Sequence, residues 1–236
     1  MDSFAASPTS LFEPLAGEPR TPVVSVVIPT RARHALLRRC LDAVVAQQLG
    51  GAPFEVIVVD DGHDSETLRM VRGLQRDPND AEARAKPDLV YLRPVGGQGP
   101  AVARNRGWRA ARAELIAFTD DNTVPQPGWL EQGLRAMAAA PQWSALCGRV
   151  VVPLTPQHRH RPTDDELMTL GLQDAEFVTA NAFVRRSALE QVNGFDERFT
   201  RPWREDSDLQ VRLAQQAGPV GSCADAVVLH PVRQEH

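Results

Sequence analysis

The chain has 236 residues, 42% of them hydrophobic and 24% charged, with a net charge of −4 and a pI of about 5.9. That supplies a core for one α/β domain, and the acidic balance excludes a broad nucleic-acid-binding face, which needs an excess of Lys and Arg. No apolar run approaches the roughly 18–20 residues of a membrane helix, and no basic segment followed by an apolar one opens the chain as a signal peptide would.

Residues 1–22 carry Pro8, Pro14, Pro19 and Pro22 among Ser and Thr and read as a flexible leader. From Val23 to Ile28 a β-branched run stopped by Pro29 predicts a buried strand. His34 to Gln48 has Leu37, Leu41, Val44 and Val45 at helical spacing. Phe54–Val59 is a second strand ending in Asp60-Asp61-Gly62, and Ser65–Gln75 a second helix. A third strand at Leu89–Leu92 is followed by a glycine-rich turn at 96–100 and a helix over 101–112. Glu114–Thr119 is a fourth strand, again ending in acids, and Trp129–Ala139 a further helix. This alternation predicts a mainly parallel central sheet with helices on both faces. Ligands of such sheets bind beyond the carboxyl ends of the strands. Asp60, Asp61, Asp120 and Asp121 all fall at that edge.

The second half is less regular. Strands are expected at Ala145–Val152, Val178–Val184 and Ala226–Leu229, with helices at Ser187–Val192 and Asp206–Ala217. The polar stretch 153–176 reads as a loop able to order over a bound ligand. No repeat or linker divides the chain. The three cysteines, Cys40, Cys147 and Cys223, form no CxxC pair and read as free thiols of a reducing compartment. A cytoplasmic protein is expected, with peripheral contact at the inner membrane face left open.

Several residue groups carry chemistry. Adjacent carboxylates repel each other, so Asp120-Asp121 suits either a solvated turn or a cation bridged to a phosphate. Asp60-Asp61 suits hydrogen bonds to a ribose or base, or a plain turn. Arg104, on the helix after the glycine turn, can reach an anion with its rigid fork or lie on a surface. Glu205-Asp206 at a helix start is favoured by the dipole alone, yet also places a carboxylate as a general base. Trp203 suits stacking on a sugar ring, or a core or interface position. The glycine pattern is not GxGxxG, which argues against a dinucleotide-dependent oxidoreductase, and no basic glycine-rich triphosphate loop marks a nucleotidyltransferase.

Six segments, in order from about residue 23 to 230, resemble family-2 glycosyltransferases of the GT-A fold. They are Val24–Arg31, Ile57–Gly62, Gly99–Gly107, Phe118–Leu130, Asn181–Phe199 and Arg204–Leu213. The resemblance implies one GT-A domain over 23–236, with a nucleotide-sugar-binding half over about 23–122 and an acceptor-binding and catalytic half over about 123–236. It implies an inverting transfer of a sugar from a nucleotide-diphosphate sugar, UDP favoured, to a carbohydrate, lipid-linked or other hydroxyl acceptor. The donor would be lined by Pro29, Thr30, Arg31, Asp60, Asp61, Arg104, Asp120 and Asp121. Among these, Asp60 would face the base or ribose. Asp206 would be the base, with Glu205 beside it. A divalent cation, Mg²⁺ or Mn²⁺, would lie at Asp120 and the residue two further on, with His230 as an added ligand. Here that residue is Asn122, where the family pattern has Asp; an amide oxygen ligates without charge, and Asp121 is the alternative ligand. The substitution also keeps in view a non-catalytic or partner-dependent glycosyltransferase-like module.

Overall fold

The β-branched runs of the first half become strands whose two faces are both covered. A computed structural model of the chain describes residues 21–75, 86–153, 167, 169–201 and 204–231. Strands β1 (Ser25–Thr30), β2 (Glu55–Asp60), β3 (Asp88–Leu92) and β4 (Leu115–Thr119) pair in parallel in the order β3-β2-β1-β4. Every residue of β2 and β4 is buried, as expected where helices pack on both sides of a parallel sheet. The connecting helices are α1 (His34–Val45), α2 (Ser65–Leu74) and α3 (Pro100–Ala110). α3 lies so close to the sheet that a Cβ on Gly107 would stand 2.4 Å from Val27 Cγ1, so only glycine fits there.

The second half adds α4 (Trp129–Ala139), β5 (Val124–Pro125), β6 (Ala145–Val151), β7 (Asn181–Arg185), α5 (Arg186–Gln191), α6 (Glu205–Gln216) and β8 (Val220–Leu229). β7 runs antiparallel between β4 and β6, and the complete order is β3-β2-β1-β4-β7-β6-β8-β5. The expected α/β fold with a mainly parallel sheet is therefore observed, with an antiparallel strand joining its two parts. The core is continuous across the join: Phe118 of β4 meets Phe195 edge-on at 5.3 Å, and Trp129 meets Phe183 of β7 at 5.4 Å.

Some boundaries differ from expectation. β1 runs through Pro29 to Thr30, because β4 pairs with β1 only over Ser25–Val27 and leaves one side of Pro29 without a ladder. β8 begins six residues before Ala226. Gly221, Ser222 and Asp225 break its apolar pattern, but its parallel register with β6, shifted at Gly148/Arg149, sets its length. β7 starts at Asn181 rather than Val178, and two-residue β5 was not foreseen. The expected leader lies outside the described residues except for its last two, and most of the 153–176 loop, with Trp203, lies outside them too.

Parallel register aligns the strand ends. Thr30 pairs with Asp60, and the offset Val27 to Phe118 brings Thr30 level with the residues just past β4. The acids predicted for one edge of the sheet do share it.

Candidate active site

At the end of β2 the two acids differ. Asp60 is fully buried, and both its oxygens are occupied: Oδ1 accepts the Gly62 amide at 2.9 Å, while Oδ2 accepts the Asp64 amide at 2.8 Å and the Tyr91 hydroxyl at 2.7 Å. It shapes the loop. Asp61 has Oδ2 on the Gly99 amide at 3.1 Å and Arg31 at 3.8 Å, whereas its Oδ1 is buried without a partner. An orphaned carboxylate oxygen is costly unless a ligand donor completes it. Of the two, Asp61 is the acid with capacity for a ligand. Pro29 and Thr30 stand at the neighbouring end of β1.

At the end of β4 each acid has its own arginine. Asp120 Oδ1 takes Nη2 of Arg104 at 2.8 Å, and Asp121 Oδ1 takes Nη1 of Arg33 at 3.1 Å. The second oxygen of Asp121 accepts the Thr30 hydroxyl at 2.8 Å. Burial pushes the Asp121 carboxyl up, against the pull of Arg33 and Thr30. Asp121 faces inward and is 4% exposed, whereas the Asp120 side chain is 27% exposed. The mutual repulsion of this pair is thus offset by the protein's own guanidinium groups, from the β1–α1 loop and from α3.

Arg104 joins the two halves of the site. It is 4% exposed, and its other terminal nitrogen, Nη1, donates to Glu205 Oε1 at 3.0 Å. Burial works against its charge, but Asp120, Asp206 and Glu205 hold its pKa above the ordinary arginine value. Glu205 is buried in this pair. Asp206, the next residue of α6, is half-buried and is held by Thr179, whose hydroxyl donates to Oδ1 at 2.7 Å and whose amide donates to Oδ2 at 3.2 Å. Burial raises the Asp206 pKa above the ordinary carboxylate range, with Arg104 and Thr179 opposing. Arg204, at φ +68°, turns the chain sharply into α6 and so sets both acids at the helix start.

Asn122 and His230 meet across the sheet. Pairing of β5 with β8 aligns Val124 with Leu229 and brings Asn122 Nδ2 within 3.2 Å of His230 Nε2. His230 is buried, its Nδ1 has no partner, and burial lowers its pKa, so the ring is neutral near pH 7. No group of three or more His, Cys, Asp or Glu side chains among the described residues is arranged to hold a metal ion. In donor chemistry alone, the second oxygen of Asp120, the Asn122 amide and the neutral imidazole are groups that Mg²⁺ or Mn²⁺ accepts. Both oxygens of Asp121, the alternative ligand, are engaged by Thr30 and Arg33.

Sequence reasoning missed Thr179, Tyr91 and Arg33, none of which lies in a recognisable pattern. It also read the Asn193–Phe199 segment only as a resemblance. That segment is a clamp: Asn105 donates to the Phe195 carbonyl at 2.9 Å and accepts the Phe195 amide at 2.9 Å, seating Phe195 against Phe118 and Arg104. Gly194, at φ +66°, would place a Cβ 2.4 Å from Asn105 Oδ1.

Residues 25–193 match the model of glycosyl transferase family 2. Validoxylamine A glucosyltransferase of Streptomyces hygroscopicus subsp. limoneus is 29% identical over 231 residues, covering 84% of this chain and 49% of that protein. Pre-mycofactocin glycosyltransferase of Mycobacterium tuberculosis (strain ATCC 25618 / H37Rv) is 30% identical over 224 residues, covering 90% and 43%. The chain thus spans about half the length of these curated relatives. Among solved structures, S. aureus TarS 1–349 superposes with a TM-score of 0.65 at 18% identity, covering 88% of this chain and 60% of that one. The mannosyltransferase PcManGT of Pyrobaculum calidifontis, in complex with GDP-Man and Mn²⁺, gives 0.63 at 23% identity, covering 95% and 62%. Both confirm the fold.

Proposed function

The chain belongs to glycosyl transferase family 2, and we propose that it transfers a sugar from a nucleotide-diphosphate sugar to an acceptor hydroxyl with inversion. The observation that carries this reading is Arg104, whose guanidinium ties Asp120 at the donor edge to Glu205 beside Asp206. One side chain thereby fixes the distance between the place where a diphosphate would leave and the place where a hydroxyl would be deprotonated. Such positioning is worth several kcal/mol of barrier in oriented reactions, on the order of 7–11 at the upper limit.

Asp206 acts as the general base. Its half-open carboxylate, aimed by Thr179, accepts the acceptor proton as the hydroxyl oxygen bonds to the anomeric carbon and the diphosphate departs from the opposite face. Its raised pKa makes it a stronger base than an ordinary aspartate. Glu205 positions Arg104 and does not touch substrate.

Asp61 reads the base. Its unpartnered oxygen can take a base N–H, from uracil N3 or guanine N1 or from the exocyclic amino group of adenine or cytosine, and the preference for a UDP-sugar rests on the family resemblance. TarS structures hold UDP and UDP-GlcNAc, and PcManGT holds GDP-Man. Thr30, Pro29 and Arg31 flank the nucleoside. A divalent cation held by Asp120, Asn122 and His230 supplies Lewis-acid charge to the leaving group when bound.

The half over 23–122 serves the donor, and that over 123–236 the acceptor, with Trp203 as its stacking platform. The acceptor is a carbohydrate, a lipid-linked molecule or another hydroxyl compound, in polysaccharide, glycolipid or glycoconjugate synthesis. No helix among the described residues is long and apolar enough to cross a membrane.

A thermal-shift screen of UDP, GDP, CDP and ADP, each with and without Mn²⁺, tests the donor reading. A ligand of the folded state raises its Tm. UDP should give the largest shift of the four, and Mn²⁺ should deepen it. Equal shifts with all four would remove Asp61 as the base reader, and no shift with any would remove the donor reading.

A further inference from the structure

Arg33 lies three residues past Thr30, in the loop that enters α1, and no sequence pattern marks it. Among the described residues its guanidinium pairs with Asp121, at 3.1 Å. The two oxygens of Asp121 are spent on the Thr30 hydroxyl and on this guanidinium. A carboxylate 4% exposed is a costly way to end a strand; here it fixes an arginine in place.

The two arginines that flank the acidic pair differ. Arg104 is 4% exposed and shared between two acids, so its charge is compensated from within. Arg33 is 39% exposed and engages one nitrogen, which leaves further N–H donors of its fork toward solvent at the donor edge.

We infer that Arg33 is a diphosphate-binding cation of the donor site, held in position by Asp121. The inference rests on the donor reading above. The planar fork matches two phosphate oxygens at once, and a cation fixed there offsets negative charge on the diphosphate. No bond to the protein forms or breaks. Asp121 is on this account a positioning residue for Arg33.

The test compares nucleoside diphosphate with nucleoside. Binding of UDP, GDP, uridine and guanosine to the full chain is measured by calorimetry and NMR titration, in EDTA and again in Mn²⁺, for wild type, R33Q and R33K. R33Q should lose about 10- to 100-fold in affinity for UDP or GDP, whichever binds, and keep its affinity for the matching nucleoside. R33K keeps the charge without the fork and should lose less. Unchanged diphosphate affinity in R33Q, or an equal loss for diphosphate and nucleoside, overturns the role. If R33Q does not fold, R33K decides by the same ratio: a loss confined to the diphosphate supports the role, and none overturns it. Wild type that binds neither UDP nor GDP overturns the donor reading instead, a separate outcome.

Discussion

The edge of the parallel strands and the start of α6 hold acids in opposite ways. At the parallel edge, Asp60 and Asp121 are locked on both oxygens by local backbone, Tyr91, Thr30 and Arg33. They build the loops, and their neighbours Asp61 and Asp120 carry the open oxygens. At α6 the buried acid and the half-open acid are again adjacent, but Glu205 is tied to α3 and Asp206 to Thr179 just before β7. In each DD pair one carboxylate is engaged on both oxygens and the other keeps an unpartnered one; in the ED pair Glu205 is buried on Arg104, and Asp206, with Thr179 on both oxygens, is the more exposed of the two. A motif names both and cannot say which is which.

The largest effect expected from breaking this division is at Asp206. D206N should cut turnover by about 10²–10⁴-fold while donor affinity survives. Wild-type kcat/KM should also fall as the pH drops through a pKa raised above the ordinary aspartate range, because the base must be ionised; D206N should lack that limb. Near-normal turnover in D206N would move the base elsewhere.

Next comes the join between the two regions. R104M leaves Glu205 buried and unpaired, which typically costs about 3–5 kcal/mol. Chemical denaturation should show that loss, and the double variant R104M/E205L should recover part of it. A purely additive double variant would show that the two do not act as a pair.

Smaller again is the clamp. G194A should destabilise by about 1–3 kcal/mol, through positive φ and the clash with Asn105. A Tm equal to wild type would show that the segment around Phe195 shifts without cost.

The smallest effect is at the edge of the donor loops, where His34 Nε2 meets Asp64 Oδ2 at 2.6 Å. The hydrogen bond that His34 donates to Asp64 raises the His34 pKa, so its contribution is present below the unfolded value of 6.5 and fades as the pH rises through the folded one. The hydrogen bond from His34 holds Asp64 below its usual 3.8, so its contribution is present above that value and fades as the pH falls. The bridge therefore acts between those limits, and the Tm gap between wild type and H34Q should narrow as the pH rises from about 6 to about 8. A gap constant over that range would show that charge plays no part.

Much of the first half was legible in the sequence. Parallel strands buried on both faces read as unbroken apolar runs, and acids directly after them must fall at one edge, so Asp60, Asp61, Asp120 and Asp121 could be placed together before any coordinates. Less was legible in the second half. The polar residues of β8 hid a strand whose length depends on β6, and Thr179 and His230 reach the site only through β7 and β8.

The sequence by itself determined the α/β class, the order of its helices and the family segments, because hydrophobic period and turn chemistry are local properties of the chain. The tertiary structure decided which acid of each pair is open. That choice depends on partners such as Thr179, Arg33, Tyr91 and Arg104, which lie between 16 and 101 residues away from the acids they hold. A carboxylate's solvation and hydrogen bonds are set by what packs on it, and no local pattern records that.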